Sequence, residues 1–346
     1  MDALTLTMNM REKIKELWKR CFHDSEEFTE LYFRLRYNED VNIALLNGKE
    51  VIAALQMLPY PMTFGGTEIP TAYISGACTH PDFRNRGAMR ELLTEAFARM
   101  LCGGNALSTL IPAEPWLFDY YARSGYAPVF RYTEKRFSAA EAPAADTAFT
   151  LEVSDTYEEK SYDYLNRKLR ERPCCLQHTP ADFRVVMADL RLSRGFIGTL
   201  NREGGIVALA VAYPLEEGGW RIGEIVSDTP ETEALLLELI CRRLRVPSLQ
   251  VLAPPLPRNS RPLGMARIIH AERVLSLYAA AHPEVELSLH ITDGQVSANN
   301  GYHYLNNGTY MKSDKPLPGS HLTLTIGELT EKILGTSKPY MSLMLN

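Results

Sequence analysis

Apolar residues open the chain at helical spacing. Ile14, Leu17, Trp18 and Cys21 share one face, and Phe28, Leu31, Tyr32 and Leu35 repeat the pattern, which predicts two amphipathic helices. The period then changes to two. "VNIALL", a turn at Asn47-Gly48, and "VIAALQMLPY" predict a β-hairpin, and "TAYISGACTHP" predicts a further strand. Its small residues Ser75, Gly76 and Ala77 predict close approach of another backbone or a ligand. Met89, Leu92, Leu93, Ala96, Phe97 and Met100 return to helical spacing. "NALSTLI" follows as a strand, "EPWLFDYYARSG" as a helix, and a strand begins near Tyr126. The order predicts an α/β layout on a mostly antiparallel sheet.

The segment "SAAEAPAADTA" (138–148) is rich in Ala and Pro and reads as a linker. Beyond it the order partly recurs: helical stretches near 157–171 and 180–192, a hairpin through "RGFIGTL" and "IVALAVAYP", the strand "WRIGEIVSD", the helix "ETEALLLELICRRL" and the strand "PSLQVLAPP". This is an internal repeat of about 150 residues. A third segment starts near "RPLGMARIIH", with a helix around 271–282, a hairpin marked by Asp293-Gly294, and a closing strand and helix in "HLTLTIGELTEKILG". The resulting domains are 1–140, 149–260 and 263–346. The tail "KPYMSLMLN" is apolar enough that leaving it in water is costly, so it is expected to lie in a core or a cleft.

Composition narrows the function. Of 346 residues, 45% are apolar and 23% charged, with a net charge of −5, so binding to nucleic acid through bulk positive charge is excluded. No apolar run approaches the roughly 18 residues of a membrane span. The N-terminus has no basic segment followed by an apolar one, as a secretory signal would, and the expected location is cytoplasmic. Cys21, Cys78, Cys102, Cys174, Cys175 and Cys241 are dispersed and are read as reduced thiols. No Cys/His spacing fits a metal site, and none is expected.

The candidate chemistry lies in residues 79–93, "THPDFRNRGAMRELL". A helix start carries unpaired N–H groups and partial positive charge. Gly87 lets a ligand reach that backbone, and Arg84, Asn85, Arg86 and Arg90 add cations and a donor, which together make a seat for a phosphate or pyrophosphate. The alternative is a solvated basic turn. The equivalent stretch of the second half, "SDTPETEALL", has neither the glycine nor the arginines.

Arg84-Asn85-Arg86-Gly87-Ala88-Met89 resembles motif A of the GNAT superfamily of N-acetyltransferases, R/Q-x-x-G-x-G/A. Met89 departs from the final Gly/Ala, but "RNRGAMR" through Arg90 is similar to the enhanced intracellular survival (Eis) branch, R-x-R-G-x-[LM]-R. The resemblance implies that this segment holds the pyrophosphate of acetyl-CoA, and that Ala77, Cys78 and Thr79 offer backbone groups to the pantetheine arm. "FDYYARSGYAPV" resembles the family's Y-x-x-x-G-[FY] pattern, whose first tyrosine, by position Tyr121, protonates the departing CoA thiolate; Tyr120 and Tyr126 compete with it. A phenol of pKa about 10 suits that task.

Over the whole chain the resemblance implies α/β and α+β architecture: tandem GNAT-type mixed sheets flanked by helices, plus a small sterol-carrier-protein-like domain. It also implies a homo-oligomer, and it assigns a proton-accepting role to the C-terminal carboxylate, here that of Asn346. Against that role stands a tail that simply packs on its own domain. The implied acceptor is a primary amine of a small molecule or of a lysine side chain. The competing reading is a protein or scaffold that binds acetyl-CoA or a lipid without transfer.

Overall fold

The computed structural model describes residues 3–139, 148–256 and 259–345. They divide into two compact units: residues 1–130 with 263–339, and residues 131–262 with 340–345. The linker expected at 138–148 lies mostly outside the described residues. The segment expected as a third domain is divided: its body joins the first unit and its last residues join the second.

In the first unit, α1 (Ala3–Cys21) and α2 (Glu26–Leu35) precede β1 (Asn42–Asn47), β2 (Glu50–Phe64) and β3 (Thr67–Thr79), which pair antiparallel in sequence. α3 (Ala88–Cys102) crosses over to β4 (Leu107–Leu110), which lies parallel to β3, and α4 (Trp116–Ala122) follows. The apolar face read from the sequence packs as expected: Met89, Leu92, Leu93, Ala96, Phe97 and Met100 are buried against β2 and β3 residues such as Leu55 and Ile74. Trp18 and Tyr32 pack with Ala54 and Cys78 in a separate cluster. Within β5 (Ala127–Ser138) the chain passes to the second unit.

There, β6 (Phe149–Ser154), α5 (Glu159–Arg170), the short β7 (Cys175–Leu176) and α6 (Pro180–Leu192) lead into β8 (Phe196–Arg202), β9 (Gly205–Pro214), β10 (Trp220–Ser227), α7 (Pro230–Leu244) and β11 (Ser248–Ala253). The strand order is β6-β8-β9-β10-β11-β5, with β10 and β11 parallel across α7, as β3 and β4 are across α3. The tail returns to this unit. Tyr340 N–H donates to the Cys174 carbonyl at 2.9 Å, and the Leu176 N–H donates to the Tyr340 carbonyl at 3.0 Å. The Tyr340 hydroxyl donates to the buried Glu224 carboxyl at 2.9 and 3.0 Å, and Ser342 donates to the same group.

The remaining elements are β12 (Arg261–Ile268), α8 (Ala271–Ala281), β13 (Leu287–Thr292), β14 (Gly301–Asn306), β15 (Thr309–Ser313), β16 (Leu322–Thr325) and α9 (Ile326–Thr336). β13 to β16 form a separate sheet, ordered β15-β14-β13-β16. β12 pairs antiparallel with β4, which is why this segment belongs with the first unit. β13 and β14 do pair antiparallel, but Asp293-Gly294 is not a tight turn between them. The tight turn is Asn307-Gly308, both at positive φ, between β14 and β15.

Asp293 is instead a buried counter-ion. Its Oδ1 lies 2.7 Å from the Arg267 guanidinium, and both side chains are almost fully buried. The same oxygen accepts the Gln295 and Val296 N–H groups, and the other accepts from Asn299. Arg267 also donates to the carbonyls of Ser124 at 2.8 Å and Ile268 at 3.0 Å, and lies 4.1 Å over the Phe97 ring. Burial pushes the guanidinium pKa down and Asp293 pulls it back. Removing one partner strands a buried charge. Arg267→Ala is therefore expected to lower unfolding stability by about 3–5 kcal/mol in chemical denaturation, and the double variant with Asp293→Ala by less than the sum of the two single losses. A single loss below about 1 kcal/mol contradicts this.

Glu224 generates a pH effect. Burial raises its carboxyl above the ordinary 4.5, while Ser342, Arg172 and Tyr340 act in the opposite direction. The folded state therefore holds this proton more tightly than the unfolded chain. The stabilisation is full below pH 4.5 and is lost as pH rises through the raised value. Glu224→Gln is expected to flatten that slope when urea stability is measured across pH, and an unchanged slope contradicts the account.

Candidate active site

The candidate site forms in the first unit where β3 ends and α3 begins. Two features shape the strand end. First, β3 is bulged: Cys78 faces Ala54 and Ser75 faces Gln56, so Gly76 and Ala77 stand opposite Leu55 alone. Gly76 is required there. Its φ is +61°, and a Cβ would sit 2.3 Å from the Trp18 ring. The close approach predicted from the small residues is thus made, at Gly76, by a side chain of α1. Second, the parallel ladder with β4 runs from Thr71 to Tyr73 and ends there. From Ile74 to Thr79, including Ala77, Cys78 and Thr79, the strand has no ladder partner on that side among the described residues.

The loop after β3 turns sharply, with Asn85 at φ +61° and Gly87 at φ +86°. Gly87 is the N-cap of α3 and supplies no side-chain cap, so the first N–H groups of the helix remain open. Nothing lies within 4 Å of where its Cβ would be. Arg84, Asn85, Arg86 and Arg90 are exposed around this start, while the side chains of Ala88 and Met89 are buried. Met89 is therefore a core residue, and it and Ala88 offer only backbone to a ligand. Arg84 Nε donates to the Thr79 carbonyl at 3.2 Å, and Arg86 lies 5.3 Å over Phe83. A groove of about 1010 Å³ extends from Gly87 and Arg90 along α3 to β1, with Tyr37, Glu39 and Glu91 in its lining.

The second unit makes the contrast. At the matching position, α7 begins at Thr229, whose hydroxyl accepts the Thr232 N–H, and Thr232 in turn accepts the Thr229 N–H. Pro230 removes a further donor. This helix start is closed by its own side chains.

α4 carries Tyr121 in its last turn. The side chain is buried, edge-on to Tyr120 at 5.4 Å and to Tyr126 at 5.7 Å. Of the three tyrosines, Tyr126 is committed to Ser108 by a 2.7 Å hydrogen bond, and Tyr120 is half-buried. The Tyr121 hydroxyl has no hydrogen-bond partner among the described residues. Burial raises its pKa above the ordinary phenol range, with the neighbouring Tyr126, Tyr120 and Cys78 adding to the shift. A phenol held this way keeps its proton at neutral pH, although the raised pKa makes it a weaker acid than an ordinary phenol. Gly125, four residues on, has φ +78°; a Cβ would meet Ile326 at 2.5 Å and Arg267 at 3.2 Å. The Tyr-x-x-x-Gly spacing thus lets the chain turn under Arg267.

Two polar residues near the site, Glu114 and His80, make local contacts. Glu114 is exposed, and its backbone carbonyl accepts the Leu117 N–H of α4 at 3.0 Å. His80 is buried; its Nδ1 accepts the Asp82 N–H at 3.3 Å, and its Nε2 lies 2.7 Å from Arg20. Asn346 lies outside the described residues. Sequence reasoning missed the buried Tyr32–Ser75 pair, joined at 2.7 Å with Gln56 donating to Tyr32 at 2.9 Å behind the bulge. Tyr32 carried only a core-residue signal. Among the described residues no helix is long and apolar enough to cross a membrane, and no three His, Cys, Asp or Glu side chains gather as a metal-binding group.

No curated protein sequence matches this chain. The chain is similar in structure to a GCN5-related N-acetyltransferase from Anabaena variabilis (TM-score 0.75, 16% identity, covering 95% of this chain and 96% of that one). It is similar to another from Kribbella flavida (TM-score 0.75, 18% identity, 97% and 95%) and to Eis1 from Mycobacterium abscessus (TM-score 0.72, 13% identity, 94% and 87%). At these identities the likeness establishes the fold, an α/β arrangement of mixed sheets flanked by helices. Residues 5–129, the part that carries the open helix start and Tyr121, match the family model described as an acetyltransferase (GNAT) domain.

Proposed function

We propose that the first unit transfers an acetyl group from acetyl-CoA to a primary amine, of a small molecule or a lysine side chain. The observation that carries this reading is the open start of α3, with Gly87 amid Arg84, Arg86 and Arg90, directly after a strand whose ladder has ended. The match of residues 5–129 to a GNAT domain supports it. Acetyl-CoA fits the donor set: a dianionic pyrophosphate for the helix N–H groups and arginines, and an extended amide-bearing arm for the unpaired edge of β3.

The chemistry follows from these groups. The amine, once neutral, attacks the thioester carbonyl. Backbone N–H groups of the β3 end would stabilise the developing oxyanion. The carbon–sulfur bond breaks, and Tyr121 gives its proton to the thiolate. The resemblance to Eis-like enzymes assigns acceptance of the amine proton to the α-carboxylate of Asn346. Binding both reactants together supplies much of the acceleration.

Free-thiol release from acetyl-CoA, measured over a panel of polyamines, aminoglycosides and lysine peptides, tests the reading. Tyr121→Phe is expected to lower kcat about a hundredfold or more with little change in acetyl-CoA affinity. Arg84→Ala is expected to weaken acetyl-CoA binding about tenfold. A variant lacking Asn346 tests the tail carboxylate and is expected to lose kcat most steeply at low pH. Tight acetyl-CoA binding without thiol release on any amine would favour a non-catalytic binding protein. No acetyl-CoA binding would sink the proposal.

A further inference from the structure

Cys21, the last residue of α1, packs against the buried cluster that holds Cys78 of β3. The pair lies at the rim of the open helix start. Cys21 Sγ is 3.4 Å from the Thr79 carbonyl oxygen, the atom that also accepts from Arg84 Nε. Cys78 is buried among Trp18, Tyr32 and Ala54, and Cys21 packs half-buried on the same cluster. The two sulfurs are inequivalent. Hydrogen bonding from Cys78 and the positive charges of Arg84 and Arg20 bring the Cys21 thiol down to about 7. The Cys78 thiol is raised by its contact with Cys21 and by burial. An accessible low-pKa thiol beside a resolving thiol is what exchange chemistry needs. The other cysteine of this unit, Cys102, is exposed at the end of α3.

We propose that Cys21 and Cys78 form a thiol–disulfide exchange site for low-molecular-weight disulfides. Cys21 thiolate attacks one sulfur of the small disulfide. That S–S bond breaks, the first small thiolate leaves and takes a proton, and Cys21 is held as a mixed disulfide. Cys78, losing its proton to solvent, then attacks the Cys21 sulfur and displaces the second small thiol. Two protein thiols are oxidised, and one small disulfide is reduced to two thiols. Closing an S–S bond of about 2.05 Å draws the end of α1 towards the bulge and withdraws Cys21 from Thr79, the residue that anchors Arg84. Oxidation therefore disturbs the seat at Gly87. This last consequence rests on the acetyl-CoA reading above; the exchange itself does not.

The test uses the full chain, reduced and then equilibrated with glutathione disulfide near neutral pH. Peptide mass mapping is followed by calorimetric titration with acetyl-CoA. A Cys21–Cys78 cross-linked peptide is expected, with an initial rate whose pH midpoint lies near 7. Cys78→Ala is expected to accumulate a single glutathione adduct at Cys21. Cys21→Ser, at a half-buried position where folding is little disturbed, is expected to leave Cys78 unmodified. The oxidised protein should bind acetyl-CoA at least about tenfold more weakly, with recovery on reduction. Adducts at Cys102 alone, or Cys78 reacting as readily in Cys21→Ser, overturn the site. A cross-link with unchanged acetyl-CoA affinity overturns its effect on the seat. If the reduced protein binds no acetyl-CoA, the functional reading fails, and the mass map alone decides the exchange site.

Discussion

The first unit depends on one buried ion pair. Arg267 comes from β12, late in the chain, yet it holds the Ser124 carbonyl at the end of α4, and α4 carries Tyr121. Asp293 makes a charged side chain tolerable in this interior, and Asn299 and the Gln295 and Val296 N–H groups satisfy its remaining lone pairs. A pair of this kind gives little net stability over an apolar replacement, but once present it fixes geometry, because each partner must find the other. Gly125 meets the steric demand of the arrangement, since no side chain fits between Arg267 and Ile326. The C-terminal segment is thus structurally part of the candidate site although it contributes no described group to the reaction.

The two units show how one topology can keep or lose chemistry. Each has an antiparallel hairpin, a bulged strand, a crossover helix and a parallel strand. The two differ at the helix start. At α3 a left-handed glycine leaves the N–H groups open among cations; at α7 a threonine pair closes them. Helix dipole and orphan donors exist at both, and only one is free to meet an anion. The bulged strand of the second unit has also been put to structural use, since Glu224 there anchors the tail through Tyr340 and Ser342.

Much of this was legible in the sequence. The stripe from Met89 to Met100 fixed α3, and the alternation before it fixed the strands, because burial on one face imposes those periods. The arginines and Gly87 marked the helix start without any structure. What stayed hidden depends on contacts between distant residues. Asp293-Gly294 carries a turn signal, but nothing local says that an arginine at 267 needs its charge. The end of the β3–β4 ladder is a matter of strand splay, which leaves no trace in composition. Cys21 and Cys78 look like unrelated thiols until α1 folds onto the bulge. The tail was expected in a core or cleft, and its described residues are held in the second unit, where its partners, Cys174, Leu176 and Glu224, could not be named in advance.

The most direct test of the central claim is hydrogen–deuterium exchange of the intact protein with and without acetyl-CoA. The account predicts slowed exchange of the amides from Ile74 to Thr79 and at the start of α3 from Asn85 to Glu91, with none at the start of α7 from Thr229 to Glu233. Protection at α7, or no protection at α3 under saturating acetyl-CoA, would contradict the claim that the open helix start is the cosubstrate's seat.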